Sequence, residues 1–112
     1  MGDAVLQEIS KRMATTLRPY DHIGRYGGEE FLIVLNATKD QAVDICERLR
    51  RAIADAAIAA EQAELQVTIS CGITLFIPPV DDRDKTALLV VADSTLYEAK
   101  DNGRNRIIFS AF

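Results

Sequence analysis

Apolar residues recur along this chain with two different periods, and the switch between them outlines the fold. Between residues 3 and 17, Leu6, Ile9, Met13 and Leu17 fall three and four apart, the spacing of one helix face. Pro19 predicts the end of that helix, because a proline pushes the residue before it out of the α region. Residues 22–26 and 31–35 predict two short strands joined around Gly27-Gly28, a pair that accepts the positive φ of a tight hairpin turn. The second of them, Phe31-Leu32-Ile33-Val34-Leu35, is apolar without alternation, which predicts a central strand covered on both faces.

Thr38 followed by Gln41 has the spacing of a capping box, and Ala42, Ile45, Cys46, Leu49 and Ile53 form the apolar stripe of the helix it would open. From Leu65 the period becomes two, with Leu65, Val67, Ile69, Cys71, Ile73 and Leu75 on one face of a predicted strand that Pro78-Pro79 ends. A last helix is predicted from about residue 84 to 102, burying Leu89, Ala92, Leu96 and Ala99, with Gly103 as its terminator. Residues 106–109 close the chain with a short strand. The order helix, hairpin, helix, strand, helix, strand predicts an α/β (α+β) sandwich around a mostly antiparallel sheet. It spans residues 1–112 as one domain, and a sheet of about four strands would leave an edge open to self-association.

Composition narrows the class. The 112 residues are 48% apolar and 27% charged, enough for a core and typical of a soluble domain. Trp is absent and aromatics are few, so the core rests on Leu, Ile, Val and Ala. No apolar run approaches the roughly 20 residues that span a bilayer, and the N-terminus lacks the basic-then-apolar pattern of a secretion signal. No membrane contact and a cytoplasmic location are therefore expected. The net charge of −4 argues against general nucleic-acid binding and leaves a local phosphate site open. Cys46 and Cys71 lie in apolar-periodic stretches and read as small buried hydrophobes rather than a disulfide or metal pair.

The chemistry concentrates in Arg25-Tyr26-Gly27-Gly28-Glu29-Glu30-Phe31. Two glycines let backbone amides approach a phosphate closely, with no Cβ in the way. Two successive carboxylates can hold a hard cation such as Mg²⁺, which takes oxygen ligands and bridges protein to phosphate. By itself the stretch is also consistent with a hairpin whose acidic tip is merely solvated. His22, the one histidine, has no assigned role, and Tyr26 and Tyr97 read as packed aromatics with a hydrogen-bonded hydroxyl.

The whole chain resembles the GGDEF family of diguanylate cyclases. Gly27-Gly28-Glu29-Glu30-Phe31 is similar to its signature loop. Val67-Thr68-Ile69-Ser70-Cys71-Gly72 resembles its V-T-x-S-x-G strand. The stretch from Ala92 to Lys100 (A-D-S-T-L-Y-E-A-K), followed by Gly103-Arg104-Asn105, resembles its A-D-x-x-L-Y-x-A-K-x-x-G-R-N ending, and Gly2-Asp3 the end of an upstream stretch. The resemblance implies a nucleotide-cyclase-like fold with a ferredoxin-like central antiparallel sheet flanked by helices. It implies a reaction in which two GTP molecules condense to cyclic di-GMP with release of two pyrophosphates, on a homodimer that presents one GTP per domain. It also implies Mg²⁺ (or Mn²⁺) as cofactor and a sensory or receiver domain in a full-length parent.

Roles follow position by position from the resemblance. Glu29 and Glu30 match the catalytic and metal-binding acids, and Gly27 and Gly28 the phosphate cradle. Lys100 and Arg104 match residues that hold the triphosphate; without the resemblance they are cations at a helix C-terminus. Asp3 matches the carboxylate that pairs with the guanine edge, or is a plain N-cap. Arg18-Pro19-Tyr20-Asp21 lies five residues before the signature loop, the offset of the family's R-x-x-D inhibitory product site. There an Arg forks onto phosphate or stacks on guanine, and the Asp accepts from guanine N–H groups. Arg48 matches a position that completes this site from a neighbouring subunit, or belongs to a solvated helix face.

Family domains begin with a strand and helix that have no counterpart in these residues, including a metal-binding Asp on the first strand. The expectation is a GGDEF domain without its first strand, inactive or weakly active alone. The alternative is a non-catalytic module that binds cyclic di-GMP through Arg18 and Asp21.

Overall fold

The computed structural model of the protein describes residues 3–25, 30–60 and 63–111. In chain order α1 (Asp3–Thr16) leads to the strands β1 (His22–Arg25) and β2 (Phe31–Val34), then α2 (Lys39–Ala54) and the strands β3 (Ile58–Ala60) and β4 (Ala63–Leu65). These belong to one unit, Met1–Val67. The second unit, Thr68–Phe112, holds β5 (Cys71–Ile73), α3 (Asp82–Asp101) and β6 (Ile107–Phe109).

In the first unit the predicted helix faces pack on each other. α1 buries Val5, Leu6, Ile9 and Met13, and Pro19 follows its last turn as expected. The capping box of α2 forms in full: Gln41 N donates to Thr38 Oγ1, and Thr38 N donates to Gln41 Oε1. Its stripe is buried at every expected position, Ala42, Ile45, Cys46, Leu49 and Ile53. Leu49, Ile53 and Ile58 of β3 are wholly enclosed, each contributing about 1.5–3 kcal/mol by leaving water. Arg12 of α1 fastens the end of α2 to this core. Its guanidinium donates to the carbonyls of Ala52, Ile53, Ala56 and Ala57 at 2.8–3.4 Å and to Glu8 at 3.1 Å. The last carbonyls of a helix have no partner within it, and a cation there also complements the helix dipole.

β1 and β2 pair antiparallel, with His22 opposite Val34, Ile23 opposite Ile33, Gly24 opposite Leu32 and Arg25 opposite Phe31. The expected Gly27-Gly28 turn lies outside the described residues. The expectation that both faces of β2 are covered does not hold. Among the described residues β2 pairs with β1 alone, and Leu32 (39% exposed) and Val34 (46% exposed) line an open face. An all-apolar run was therefore no sign of burial on both sides here.

The hairpin of β3 and β4, with Ile58 opposite Leu65, was not expected; three residues are too few to establish a period. Leu65 closes β4, and residues 66–70 form no strand, so the single long strand expected from Leu65 to Leu75 is divided. Among the described residues two of the three strand pairs are antiparallel and one parallel, in keeping with a mixed α/β fold.

In the second unit β5 and β6 run parallel, Cys71 opposite Ile107 and Ile73 opposite Phe109. α3 starts two residues earlier than expected, because Asp81 rather than a later residue caps it and accepts from Asp84 N at 2.8 Å. Its buried face is Leu88, Thr95 and Ala99, with Leu89, Ala92 and Leu96 half-buried. Ala99 is buried as expected, while Leu88 and Thr95 take the buried places expected of Leu89 and Leu96. Thr95 meets the cost of its burial by donating to Val91 O at 2.7 Å. Tyr97, expected to pack, is 69% exposed on the opposite side of the helix.

Gly72 sets the distance between β5 and α3. A Cβ there would collide with the Leu96 amide nitrogen and lie 2.8 Å from Ala92 O and Leu96 Cα, all backbone atoms that cannot swing aside. Gly72→Ala is expected to destabilise the protein by about 3 kcal/mol, at the upper end of overpacking costs. A urea unfolding midpoint that matches the parent would show that α3 does not seat against β5 at this point.

Candidate functional site

The turn after α1 brings the two residues of the R-x-x-D pattern together. Pro19 and Tyr20 are its central residues, and Asp21 N donates to Arg18 O at 3.0 Å. Proline suits the second position of such a turn because its φ is already set. A four-residue turn places its first and last residues side by side, which is why this spacing works. Arg18 Nε donates to both Asp21 oxygens at 3.0 and 3.2 Å, Arg18 Nη2 to Oδ1 at 2.8 Å, and the Arg18 backbone N to Oδ2 at 2.8 Å. This is the bidentate fork that makes arginine–carboxylate pairs strong. Arg18 Nη2 also donates to Asn36 O at 3.2 Å, tying the turn to the segment after β2.

The Asp21 side chain is 0% exposed and that of Arg18 28%. Hydrogen bonds from the Arg18 side chain hold the Asp21 carboxyl below its ordinary value and outweigh the shielding that would raise it. The same bonds raise the Arg18 guanidinium above its already high value. The Arg18 Cζ lies 4.5 Å from the centroid of the Tyr20 ring, a cation–π distance.

The other expected site residues stand as follows. Gly27, Gly28 and Glu29 lie outside the described residues. Glu30 precedes β2, half-buried. Asp3 is the first residue of α1, with its side chain outside the description. Lys100 lies in the last turn of α3, and Arg104 just beyond its end. Gly103 (φ +115) N donates to Lys100 O, and Arg104 (φ 61) N donates to Ala99 O at 2.9 Å. That pairing is a Schellman motif, with glycine at the position that needs a positive φ. It keeps Lys100 and Arg104 on the two sides of one helix terminus. Asn105 N donates to Ser70 Oγ at 3.2 Å, and Cys71 N to Arg106 O at 2.9 Å, so the segment after α3 is bound to the one before β5. Arg48 pairs with Asp44 at 2.6 Å on an exposed face of α2, and Arg50 and Arg51 pair with Glu47 beside it. No bond joins Arg48 to Arg18 or Asp21.

Among the described residues no three His, Cys, Asp or Glu side chains gather closely enough to hold a metal ion. The donor type of Glu30 fits a hard divalent cation. Its expected companion, Glu29, lies outside the described residues. Sequence reasoning passed over Tyr20, although it sits inside the R-x-x-D pattern, and the carbonyl of Asn36, for which a side-chain pattern holds no signal.

Comparison with known proteins bears on this arrangement. The sequence profile described as "Diguanylate cyclase, GGDEF domain" matches residues 1–106. The chain belongs to the GGDEF family. Diguanylate cyclase A of Treponema denticola is 37% identical over 110 residues, covering 97% of this chain and 29% of the relative. Among solved structures, diguanylate cyclase SiaD of Pseudomonas aeruginosa, in complex with its activator SiaC, superposes with a TM-score of 0.80 at 35% identity. That match covers 95% of this chain and 40% of SiaD. The active GGEEF domain of a diguanylate cyclase from Vibrio cholerae gives a TM-score of 0.80 at 30% identity, covering 96% and 67%. The chain spans about a third of the length of the curated relatives it matches (30%, 29% and 36%).

Within this GGDEF chain, the family patterns meet physically. Gly72 of the V-T-x-S-x-G stretch lies against Ala92 and Leu96 of the A-D-x-x-L-Y stretch, and Asn105 of G-R-N is bonded to Ser70. No helix among the described residues is long and apolar enough to cross a membrane.

A group whose pKa is lowered by folding adds stability above its unfolded value, near 3.9 for Asp, and that stability is lost as pH falls through the native value. Asp21→Asn is therefore expected to lower the thermal midpoint at pH 7, and the gap from the parent to close as the pH is taken below about 4. A gap independent of pH would mean that the carboxylate charge is not what Arg18 holds.

Proposed function

We propose that this domain condenses two GTP molecules into cyclic di-GMP with release of two pyrophosphates. The observation that carries the reading is the family match over residues 1–106, which includes the acidic loop at 27–31. The relative from Treponema denticola carries the name of this activity. In this reading two domains, each holding one GTP, face each other across a two-fold axis. The 3′-hydroxyl of each nucleotide attacks the α-phosphorus of the other. A new P–O ester bond forms as the bond to the β-phosphate oxygen breaks, the hydroxyl proton is lost, and pyrophosphate leaves. Placing two reactants in line is much of the catalysis, which makes the homodimer part of the mechanism.

The residues take the roles their positions suggest. The amides of Gly27 and Gly28 cradle phosphate. Lys100 and Arg104, as a point charge and a planar fork, hold the triphosphate. Asp3 accepts from the guanine edge. Glu29 and Glu30 hold Mg²⁺ or Mn²⁺, and a cation bound there supplies charge neutralisation at the phosphates. Cyclic di-GMP binds at Arg18 and Asp21 as an inhibitory product, with Arg48 of a second copy completing the site. A second reading, a non-catalytic cyclic di-GMP sensor, is favoured by one observation: Arg18 and Asp21 are already set side by side by their turn.

With GTP and Mg²⁺ the purified chain is expected to form cyclic di-GMP and pyrophosphate in a one-to-two ratio. The initial rate of this turnover is the readout. Glu30→Ala should lower it by about 100-fold or more, the scale of losing several kcal/mol of charge stabilisation. Turnover equal in parent and Glu30→Ala would contradict catalysis at this loop. Cyclic di-GMP binding without turnover would select the sensor.

A further inference from the structure

Just beyond α3, Gly103, Arg104 and Asn105 hold a positive φ in succession, at 115°, 61° and 47°. Glycine takes that region freely and asparagine tolerates it, whereas the Cβ of other residues crowds the following carbonyl. An arginine stays there only where its surroundings compel it. The bonds around Arg104 do so. Its N donates to Ala99 O at 2.9 Å, and its O accepts from Arg106 Nε at 3.1 Å. The next amide, Asn105 N, donates to Ser70 Oγ at 3.2 Å. The peptide unit between Arg104 and Asn105 is thus held at both poles, its carbonyl by Arg106 and its N–H by Ser70. Of these partners Ser70 is the distant one, 35 residues from Asn105 in sequence. The β5–β6 pairing carries it to the turn, since Cys71 N donates to Arg106 O at 2.9 Å. Ser70 is half-buried there, while Arg104 is exposed.

Resting on the reading that Lys100 and Arg104 hold the triphosphate, we propose that Ser70 is a positioning residue for Arg104. Its hydroxyl oxygen keeps the Arg104–Asn105 peptide in the left-handed turn, and the turn fixes the point from which the guanidinium reaches phosphate. Ser70 acts through the backbone that carries Arg104 rather than by touching the nucleotide. Removing the hydroxyl takes the acceptor from Asn105 N–H and lets the peptide relax toward negative φ, which moves the Arg104 side chain. A protein whose competent conformer is only partly populated binds in proportion to that fraction. The loss therefore falls on the preference for a triphosphate over a monophosphate.

The test is calorimetric titration of the full chain, in Mg²⁺, with guanosine α,β-methylene triphosphate, whose bridge resists cleavage, and with GMP. The parent is expected to bind the triphosphate more tightly than GMP, and Arg104→Ala to lose most of that preference. Ser70→Ala should weaken triphosphate binding by about 2- to 12-fold, the population shift that one lost neutral hydrogen bond permits. GMP binding should stay at the parent's level. Ser70→Thr, which keeps the acceptor, should restore the parent affinity. On top of Arg104→Ala, Ser70→Ala should cost nothing further, because a residue that acts through another is not additive with it. Should Ser70→Ala fail to fold, Ser70→Cys carries the same comparison with a weaker acceptor. Parent-like triphosphate affinity in folded Ser70→Ala would overturn the role of Ser70 and leave the triphosphate reading standing. An equal loss for the triphosphate and GMP, or a further loss on top of Arg104→Ala, would do the same. A parent with no preference for the triphosphate would overturn both the reading and the role.

Discussion

The ion pair of Arg18 and Asp21 is the joint that organises the first unit around its candidate site. It forms just after α1, which ends because Pro19 forbids another helical turn. It starts β1, because the turn it closes delivers the chain directly to His22. Through Asn36 O it also holds the segment that leaves β2. A single guanidinium thus touches the turn and the exit of the ribbon, while α1 itself is fixed to α2 by the Leu49–Ile53 core and by Arg12. Surface ion pairs contribute little on average. This one differs in its fork geometry, and the hydrogen bonds from Arg18 prevail over the shielding of the carboxylate to hold the Asp21 charge at a lowered pKa.

The second unit answers to a steric constraint instead. Gly72 lets the backbone of α3 lie on β5, and the Schellman turn at Gly103 reverses the chain so that Ile107–Phe109 can pair with Cys71–Ile73. Two separated family patterns therefore share one physical cause: each supplies half of a close helix–strand contact. The positions of Lys100 and Arg104 follow from that reversal, since both flank the glycine that makes it.

Where a pattern had enough repeats, the sequence was legible. The stripe of α2 was readable to the residue, because five apolar positions and a capping box agree. The face of α3 was legible at Ala99 and displaced by one position at Leu88 and Thr95, because Leu88 and Leu89 compete for it and Thr95 takes a core place with its hydroxyl bonded inside the helix. The β3–β4 hairpin was invisible because Ile58-Ala59-Ala60 carries too little contrast. The acidic loop announced the family through its residues, but Glu30 is the one acid of the pair within the described residues. The Arg18–Asp21 contact was foreseen as a site from its offset. Its self-satisfied geometry was not foreseen, since a sequence pattern does not distinguish a carboxylate awaiting a ligand from one already filled by its neighbour.

The proposed cyclic di-GMP site at the Arg18 corner requires a guanidinium pre-set by Asp21. The most direct measurement is the ¹⁵N–¹H spectrum of the arginine Nε–H groups during titration with cyclic di-GMP. The result expected is a slowly exchanging Arg18 Nε–H signal, protected by its carboxylate bond and absent in Arg18→Lys, that shifts as ligand is added. An Arg18 signal that stays in place while resonances elsewhere in the chain respond would contradict the account.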